Sequence, residues 1–422
     1  MALWYTVALC ISLRCEPPGG SPLCYLHAAG GVLMKLRLHR IIPAARLYSI
    51  ACLLFISLSA CRTIQNDQAA VVTAQPAPSA IAAILPTASS IPGATAAPTV
   101  AITPAPTSIP AATSQPTPAP DPWAAYAPYT ITGLRARAYG TEGQIEIVRV
   151  LEETANFTRY LFAYPSDGLR ITGMLNRPKG AGPFPVVILN HGYYPLDIYQ
   201  TGNGSKTAAD YLANRGFLTL APDFRSHAGS DDAPNLFRAG HVIDTLNLIP
   251  LAQKLPEAQP GQVGMWGHSN GGAIAAKAIV ISDQIAAAVI YAPASSNIVE
   301  DYEFRVGRSR ASAGQPLPRG GISTVAVEFP VTPEQAPELY ERLSPLPYLE
   351  FAQAPVQIHW GSADEIVPAK WPGDLLNGLQ DAGKQVEYFE YAGQPHSFQS
   401  AANQLYLRRI ADFFGQYLRR AA

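Results

Sequence analysis

The chain has 422 residues, and its 30 basic and 31 acidic side chains nearly balance, which excludes the basic surface that nucleic-acid binding requires. A composition that is 48% hydrophobic and 9% aromatic excludes a wholly disordered chain. All the cysteines lie at or before Cys61, so the rest of the chain has no disulfide framework, no cysteine metal site and no cysteine nucleophile.

The amino-terminal region contains a predicted export signal over residues 34–60. It combines a basic start, an apolar segment over 50–58 that is too short to span a bilayer, and small residues before Cys61. The final letters, LSAC, resemble the bacterial lipobox, whose cysteine is lipidated and becomes the mature amino terminus; an ordinary signal peptide is the alternative. Because the signal begins at Met34, we expect residues 1–33 to be a non-native extension. We therefore predict an extracytoplasmic protein attached to a bacterial membrane through Cys61.

Residues 61–122 are rich in Ala, Pro, Thr and Ser and carry almost no charge. So many prolines are incompatible with helix or sheet interiors. We predict a disordered linker with polyproline II character that joins the lipid to a folded domain over residues 123–422.

The folded domain shows two kinds of hydrophobic pattern. Residues 145–176 alternate apolar and polar side chains, which predicts antiparallel hairpins. Further along, nearly continuous apolar runs predict parallel strands buried on both faces, namely PVVILN, FLTLAPD, QVGMWG, AAAVIYA and PVQIHWG. Helices are predicted between and after them over 205–215, 241–254, 270–282, 371–382 and 400–418. The prediction is an α/β fold with a mostly parallel, doubly wound sheet, antiparallel strands at its start and a cap insertion over 294–345.

The segment Gly267-His268-Ser269-Asn270-Gly271 fits the pattern G-x-S-x-G. It follows the predicted strand QVGMW directly and begins a predicted helix. That strand–turn–helix context exposes the serine hydroxyl at the edge of a sheet, so we predict that Ser269 is a nucleophile. A structural helix N-cap is the alternative.

A serine nucleophile needs a base and an acid that orients the base, which follow it in the order Ser, Asp or Glu, His on this kind of fold. Asp364 lies just after the strand PVQIHW, and His396 lies after the strand QVEYFEY and before the last helix. We predict these roles for Asp364 and His396. Glu365 is the neighbouring alternative to Asp364, and solvated surface roles are the alternative for both.

The oxyanion of the reaction needs hydrogen-bond donors beside Ser269. We predict the backbone N–H of Asn270 and a donor from Tyr193, which follows the strand PVVILN; this donor is either its N–H or its phenol. An aromatic pocket wall is the alternative role for Tyr193. The sequence has no HExxH motif and no glycine-rich phosphate loop, so we expect no metal and no cofactor.

With these motifs, the chain resembles an α/β-hydrolase of the prolyl oligopeptidase family, specifically the catalytic domain of that family. The matching stretches include SDGLRITGMLNRP, NRGFLTLAPDFRSHAGS, VGMWGHSNGG and YAGQPHSF, and esterases similar to dienelactone hydrolase or of the acetyl-xylan type share most of them. The resemblance implies Ser269 as nucleophile, His396 as base and Asp364 as the residue that orients it. The residues between the linker and position 160 are too few for the β-propeller of prolyl oligopeptidases.

We therefore predict a membrane-tethered serine hydrolase that cleaves the ester or amide bond of a small-molecule ester or a short peptide. A prolyl-oligopeptidase-type peptidase, rather than an esterase, is the first alternative. A catalytically inactive surface-binding module is a remote alternative, which a broken triad would indicate. Residues 294–345 contain five arginines, and these favour anionic acyl groups only weakly, because a solvated cap face also explains them.

Overall fold

The computed structural model describes residues 11–15, 23–28, 33–37, 121–311 and 322–419. The chain divides into two units, Met1–Ser90 and Ile91–Ala422. In the first unit, β1 (Ile11–Cys15), β2 (Leu23–Ala28) and β3 (Leu33–Arg37) form an antiparallel sheet in that order. Cys61, nearly all of the predicted signal and linker, and residues 312–321 of the predicted cap insertion lie outside the described residues.

The described part of the second unit contains a nine-stranded sheet with the strand order β12-β11-β10-β9-β7-β8-β6-β5-β4. Its strands are β4 (Glu146–Glu153), β5 (Phe157–Ser166), β6 (Leu169–Pro178), β7 (Val186–Asn190), β8 (Leu218–Pro222), β9 (Val263–His268), β10 (Ile285–Tyr291), β11 (Val356–Gly361) and β12 (Val386–Tyr391).

The first strands of this sheet are antiparallel, and the others are parallel. The strands β4, β5 and β6 pair as hairpins, and β6 pairs antiparallel with β8. The turn between β5 and β6 is Asp167-Gly168, and both residues have positive φ, as a two-residue hairpin requires. The strands β7 and β8, together with β9 to β12, run parallel. Because β7, β8 and β11 are buried along their whole length, they need apolar side chains on both faces.

Helices connect the strands and cover both faces of the sheet. Their bounds are α1 (Ile131–Ala136), α2 (Lys206–Ala213), α3 (Ala239–Ala252), α4 (Asn270–Ile281), α5 (Ile298–Ala311), α6 (Ile322–Glu328), α7 (Pro337–Leu343), α8 (Lys370–Asp381) and α9 (Ser400–Leu418). Short 3₁₀ helices span Ala124–Tyr129, Leu236–Arg238 and Leu346–Phe351.

Two hydrophobic clusters lie on opposite faces of the sheet. The helices α3 and α4 supply one of them, together with Ile188 of β7. The helices α2 and α9 supply the other, together with Leu189, the next residue of the same strand. This alternation follows from the pleat, which directs successive side chains to opposite faces. The sheet is therefore held between helical layers, and its carboxyl edge is left for loops.

A third hydrophobic cluster joins the predicted cap insertion to the rest of the domain. Phe237, which is fully buried, packs with Phe329 and Tyr340 of the insertion, and their ring centroids lie 6.2 and 6.1 Å away. Trp123 and Tyr126, at the start of the domain, pack against the same cluster. The helices α5, α6 and α7 of the insertion therefore pack on Phe237, a residue from outside the insertion.

The predicted α/β architecture is confirmed, including the antiparallel start and the parallel strands after it. The five helices predicted from the sequence agree with α2, α3, α4, α8 and α9 to within a few residues at each end. Among the described residues, none of the helices has the length and apolar character needed to cross a bilayer.

Candidate active site

Ser269 lies in the sharp turn between β9 and α4. Its backbone has φ 58° and ψ −119°, a conformation that residues other than glycine avoid. Hydrogen bonds impose it: the Ser269 N–H donates to the carbonyl of Tyr291 at 2.9 Å, and the Ser269 carbonyl accepts from the N–H of Ala294 at 3.0 Å. The side chain is only partly buried. The turn therefore places a partly exposed serine at the carboxyl edge of the sheet.

The glycines on either side of Ser269 allow this turn to pack closely. A Cβ at Gly267 would lie 2.0 Å from the carbonyl oxygen of Gly271. A Cβ at Gly271 would lie 1.9 Å from the carbonyl oxygen of Asn190, at the end of β7. Both distances are far below van der Waals contact, so both positions require glycine. This is the physical reason for the two glycines of the motif.

His396 contacts Asp364, and each follows a neighbouring parallel strand. The imidazole Nδ1–H of His396 donates to the two carboxylate oxygens of Asp364, at 2.9 and 3.1 Å. The Asp364 side chain is fully buried, and that of His396 is 9% exposed. Burial alone would raise the pKa of Asp364, but hydrogen bonds from His396 and from the N–H groups of Val367 and Ile366 hold this pKa below its usual value.

Glu365 occupies a different place from Asp364. Its carboxylate accepts a hydrogen bond of 3.2 Å from the backbone N–H of His396, and it has no contact with the imidazole nitrogens in the described structure. Of the two acids that the sequence left open, Asp364 is therefore the one that contacts the imidazole. Glu365 ties the loop that carries His396 to the loop that follows β11.

His268 links Ser269 to His396. Its ring contacts the ring of His396 at an interplanar angle of 36° with centroids 4.7 Å apart, and its Nε2–H donates to the His396 carbonyl at 3.0 Å. Within the described part of the chain, no hydrogen bond joins the Ser269 hydroxyl directly to His396. Such contacts are often long in the absence of substrate and shorten when it binds.

The predicted oxyanion donors lie next to Ser269. Asn270 is the first residue of α4, and its side chain is buried. A Cβ at Gly192, the residue before Tyr193, would lie 3.2 Å from the Cβ of Ser269, so the loop after β7 passes directly beside the serine. The side chain of Tyr193 is 55% exposed. The arrangement leaves its backbone close to the serine and its ring near solvent.

A cavity of about 460 Å³ opens beside these donors. Gly192, Tyr193 and Asn270 form part of its wall, and Val327 of α6 forms another part. Val327 is 54% exposed, so it forms an apolar rim together with Tyr193. The predicted cap insertion thus contributes directly to the wall of the cavity next to Ser269.

Three buried histidines also line this cavity, namely His191, His227 and His241. Burial lowers the pKa of each of them, in the case of His191 to about 3. They are therefore neutral at physiological pH. Both ring nitrogens of His191 face backbone carbonyls, those of Gly192 and Asp223. The described residues contain no group of three or more His, Cys, Asp or Glu side chains arranged to hold a metal ion.

Arg238 and Glu328, charged residues without a predicted role, lie in the same wall, and the pair of Asp301 and Arg305 lies beside them. Arg238 donates to both carboxylate oxygens of Glu328 at 3.0 Å and also bonds the side-chain oxygen of Asn270. Arg305 donates to that same oxygen at 3.2 Å and to Asp301 at 2.7 and 3.0 Å. Arg238 has a left-handed backbone with φ 60°. No local sequence signal identifies this group, because its members come from three separate segments.

Two family models match the domain. The model for the X-Pro dipeptidyl-peptidase family (S15) matches residues 167–328, and the model for the prolyl oligopeptidase family matches residues 321–421. Neither match covers half of the chain. Together they span the strands and loops that carry Ser269, Asp364 and His396.

Individual proteins show the same likeness. A Bacillus subtilis protein named uncharacterized peptidase YtmA is 24% identical over 259 residues, which are 60% of this chain and 92% of that protein. Acetyl xylan esterase 1 from Thermoanaerobacterium has a TM-score of 0.51 at 17% identity and covers 68% of this chain and 93% of its own. For an acylaminoacyl peptidase from Pyrococcus horikoshii the TM-score is 0.51 at 21% identity, over 64% of this chain and 43% of that one.

The fold and these matches make the chain an α/β-hydrolase. It is a serine hydrolase that resembles the prolyl oligopeptidase family and the esterases. The predicted fold class, enzyme class and resemblance are thereby confirmed. The predicted roles of individual site residues stay predictions.

Proposed function

We propose that this protein is an extracytoplasmic serine hydrolase that cleaves small esters, with Ser269 as the nucleophile, His396 as the general base and Asp364 as the residue that orients the base. The observation that carries the proposal is the contact between Asp364 and His396 Nδ1, beside a serine held in a strained turn. A serine, a histidine and an acid arranged in this way perform acyl transfer in proteins of several unrelated folds.

The proposed reaction has two halves that balance in protons. With Nδ1–H donated to Asp364, the other imidazole nitrogen is free to take the proton of the Ser269 hydroxyl as its oxygen attacks the ester carbonyl. The resulting imidazolium returns this proton to the leaving alcohol, and an acyl-enzyme remains. Water then attacks the acyl carbon while His396 takes a proton from it, and His396 gives this proton to the Ser269 oxygen as the bond to the acyl group breaks and the acid is released.

The tetrahedral intermediates carry a negative oxygen that needs donors. We assign this role to the backbone N–H groups of Asn270 and Tyr193. Asn270 begins a helix of twelve residues, so the partial positive charge of the helix amino terminus also acts there. The close approach of the Gly192 backbone to Ser269 supports Tyr193 as the second donor.

The charges of the cavity favour esters over peptides. A peptide with a free amino terminus is usually held by an unpaired carboxylate. Two carboxylates line the described cavity wall: Arg238 already occupies both oxygens of the buried Glu328, and the exposed Asp232 accepts a hydrogen bond from the Ser226 hydroxyl. Cleavage of an amide also requires a general acid that protonates the amine, a poor leaving group, and this acid must be positioned more exactly than for an ester. A peptidase of the prolyl oligopeptidase type is the second candidate, because both matching family models describe peptidases.

Two measurements test this proposal. Ser269→Ala should abolish ester turnover and labelling by a fluorophosphonate, whereas Ser282→Ala, at the other end of α4, should change neither; labelling that persists in Ser269→Ala would place the nucleophile elsewhere. The value of kcat/KM should be higher for p-nitrophenyl acetate and butyrate than for the p-nitroanilides of Gly-Pro and Ala. Faster cleavage of either anilide would favour the peptidase.

We also propose that the enzyme is anchored to a bacterial membrane by a lipid on Cys61. The support is the sequence alone: the LSAC segment after a basic and apolar start, and the proline-rich linker that follows it. Mass spectrometry should find a diacylated Cys61 as the mature amino terminus, and Cys61→Ser should release the enzyme from the membrane fraction. A free amino terminus at another residue would contradict the anchor.

A further inference from the structure

Arg238 and Glu328 form an ion pair in the wall of the cavity beside Ser269. One guanidinium nitrogen of Arg238 lies 3.0 Å from each carboxylate oxygen of Glu328, and each side chain is 11% exposed. Arg238 precedes α3, whereas Glu328 ends α6 in the predicted cap insertion. Burial makes an unpaired charge costly at this place, so Glu328 depends on Arg238 for neutralisation, whereas Arg238 also lies 3.9 Å from the carboxylate of Asp301.

A second ion pair lies next to this one. Asp301 and Arg305 pair with each other at 2.7 and 3.0 Å, so two guanidinium groups meet two carboxylates. Elsewhere in the cavity wall, Arg225 donates three hydrogen bonds to Asp244, at 2.8 to 3.0 Å. The buried cations of this wall are therefore neutralised by carboxylates of the protein itself.

Without Glu328, the cavity would present a cation close to the reacting serine. Arg238 also bonds the side chain of Asn270, the residue directly after Ser269. A guanidinium group is well suited to bind a carboxylate, and in the folded protein Glu328 provides that carboxylate. A substrate carboxylate would have to displace Glu328 or lie beside it in a poorly hydrated space, and both are unfavourable.

We propose that Glu328 is a specificity-determining residue: it occupies Arg238 and thereby makes the cavity accept uncharged acyl groups and reject acyl groups that carry a carboxylate. This inference rests on the proposed function, because it assigns the substrate class of the same site. It also replaces the weak expectation of a preference for anionic acyl groups, which came from counting the arginines of the insertion. Asp232, an exposed carboxylate on the same cavity wall, adds to the rejection of anions.

The test uses two esters that differ in one terminal group. p-Nitrophenyl butyrate ends in a methyl group, and mono-p-nitrophenyl succinate ends in a carboxylate at a similar distance from the reacting carbonyl. The wild type should prefer the butyrate. In Glu328→Gln, the ratio of kcat/KM for succinate over butyrate should rise at least about tenfold, mainly through a lower KM for the succinate. Glu338→Gln, on the exposed side of α7, should leave the ratio unchanged.

A binding measurement makes the result independent of turnover. Sodium succinate should raise the thermal unfolding midpoint of Glu328→Gln more than that of the wild type, because Glu328 no longer occupies the guanidinium nitrogen of Arg238 that would bind it. An unchanged ester ratio together with an unchanged response to succinate would overturn the inference. Ester turnover that survives in Ser269→Ala would instead contradict the proposed function, so the two failures are distinguishable.

A second variant is decisive if Glu328→Gln does not fold. The double variant Arg238→Gln/Glu328→Gln leaves neither charge unpaired, so we expect it to fold. Its preference for butyrate over succinate should be smaller than that of the wild type, since the repelling carboxylate is gone. It should show no added stabilisation by succinate, since the cation is gone too. A wild-type preference in this double variant would overturn the inference.

Discussion

Arg305 reaches from α5 to the side chain of Asn270, with its guanidinium nitrogen 3.2 Å from the amide oxygen. Two further hydrogen bonds, to the carboxylate of Asp301 one helical turn away, hold the guanidinium group in place. The backbone N–H of Asn270 is one of the two proposed oxyanion donors. A residue of the predicted cap insertion therefore supports the side chain of the residue that follows the nucleophile.

The first prediction is that Arg305 positions Asn270 for catalysis. Arg305→Met should lower kcat about tenfold with little change in KM, because the position of Asn270 matters most when charge develops on the oxyanion. Arg305→Lys should recover part of the loss, since it keeps the cation. The measurement is steady-state hydrolysis of p-nitrophenyl butyrate.

Arg342→Met provides the control for Arg305. Arg342 lies on α7 of the same insertion and pairs with Asp121 at the surface, at 2.8 Å. Its loss should leave both kcat and KM close to the wild type, as is usual for a surface ion pair. A rise in KM without a change in kcat in Arg305→Met would show that Arg305 contacts substrate instead of positioning Asn270.

The second prediction separates Asp364 from Glu365. Asp364→Asn should lower kcat by about 10³ to 10⁴, because an amide neither holds the correct imidazole tautomer nor stabilises the imidazolium. Glu365→Gln should lower it less than about tenfold, since its carboxylate contacts only the backbone of His396. The measurement is kcat of Asp364→Asn and of Glu365→Gln on the same ester. A larger loss in Glu365→Gln than in Asp364→Asn would assign the orienting role to Glu365.

The ionisation of Asp364 leads to an expectation for the pH dependence of activity. The pKa of Asp364 is held below its usual value of 3.8, so its carboxylate stays ionised at and above that pH in the folded enzyme. No loss of activity above about pH 4 should therefore arise from protonation of Asp364. The pH profile of kcat/KM for the wild type, compared with that of Asp364→Asn, checks this expectation.

Much of the site could be predicted from the sequence because it follows from the order of the strands. Parallel strands end at one edge of a sheet, and Ser269, Asp364 and His396 each follow a strand directly, so all three lie at that edge. The two glycines beside Ser269 mark a tight turn for a steric reason that depends only on neighbouring backbone. These are local signals that survive in a single sequence.

The cluster of charged residues formed by Arg238, Arg305, Asp301 and Glu328 could not be predicted, because it depends on how the insertion packs. Phe237 and the aromatic rings of the insertion form a small core, and this core brings Glu328 and Arg305 to Arg238. No periodicity links these positions along the chain. Phe237 and Arg238 both have a left-handed backbone, but neither is a glycine or an asparagine, the residues that would indicate this conformation in a sequence.

The third prediction concerns a buried cation that the proposed reaction does not use. Lys277 lies on α4 with 2% of its surface exposed, and its ammonium group has no hydrogen-bond partner among the described residues. Burial lowers its pKa to about 7, and Arg238 acts in the same direction, whereas Asp301 opposes the shift. The charged form of Lys277 therefore destabilises the folded enzyme.

Lys277→Met should raise the free energy of unfolding at pH 7 by an amount on the order of a few kcal/mol, because it removes an unpaired buried ammonium and keeps a side chain of similar length. The folded pKa is about 7 and the usual value is 10.5, so the unfolded chain binds more protons between these values and wild-type stability rises with pH there. The advantage of Lys277→Met should therefore be full at and below pH 7 and shrink steadily towards pH 10.5. Urea unfolding at several pH values measures it, with Lys254→Met, an exposed position just after α3, as the control. A constant difference across this range, or a loss of stability at pH 7, would mean that the Lys277 ammonium is solvated or paired in the folded protein.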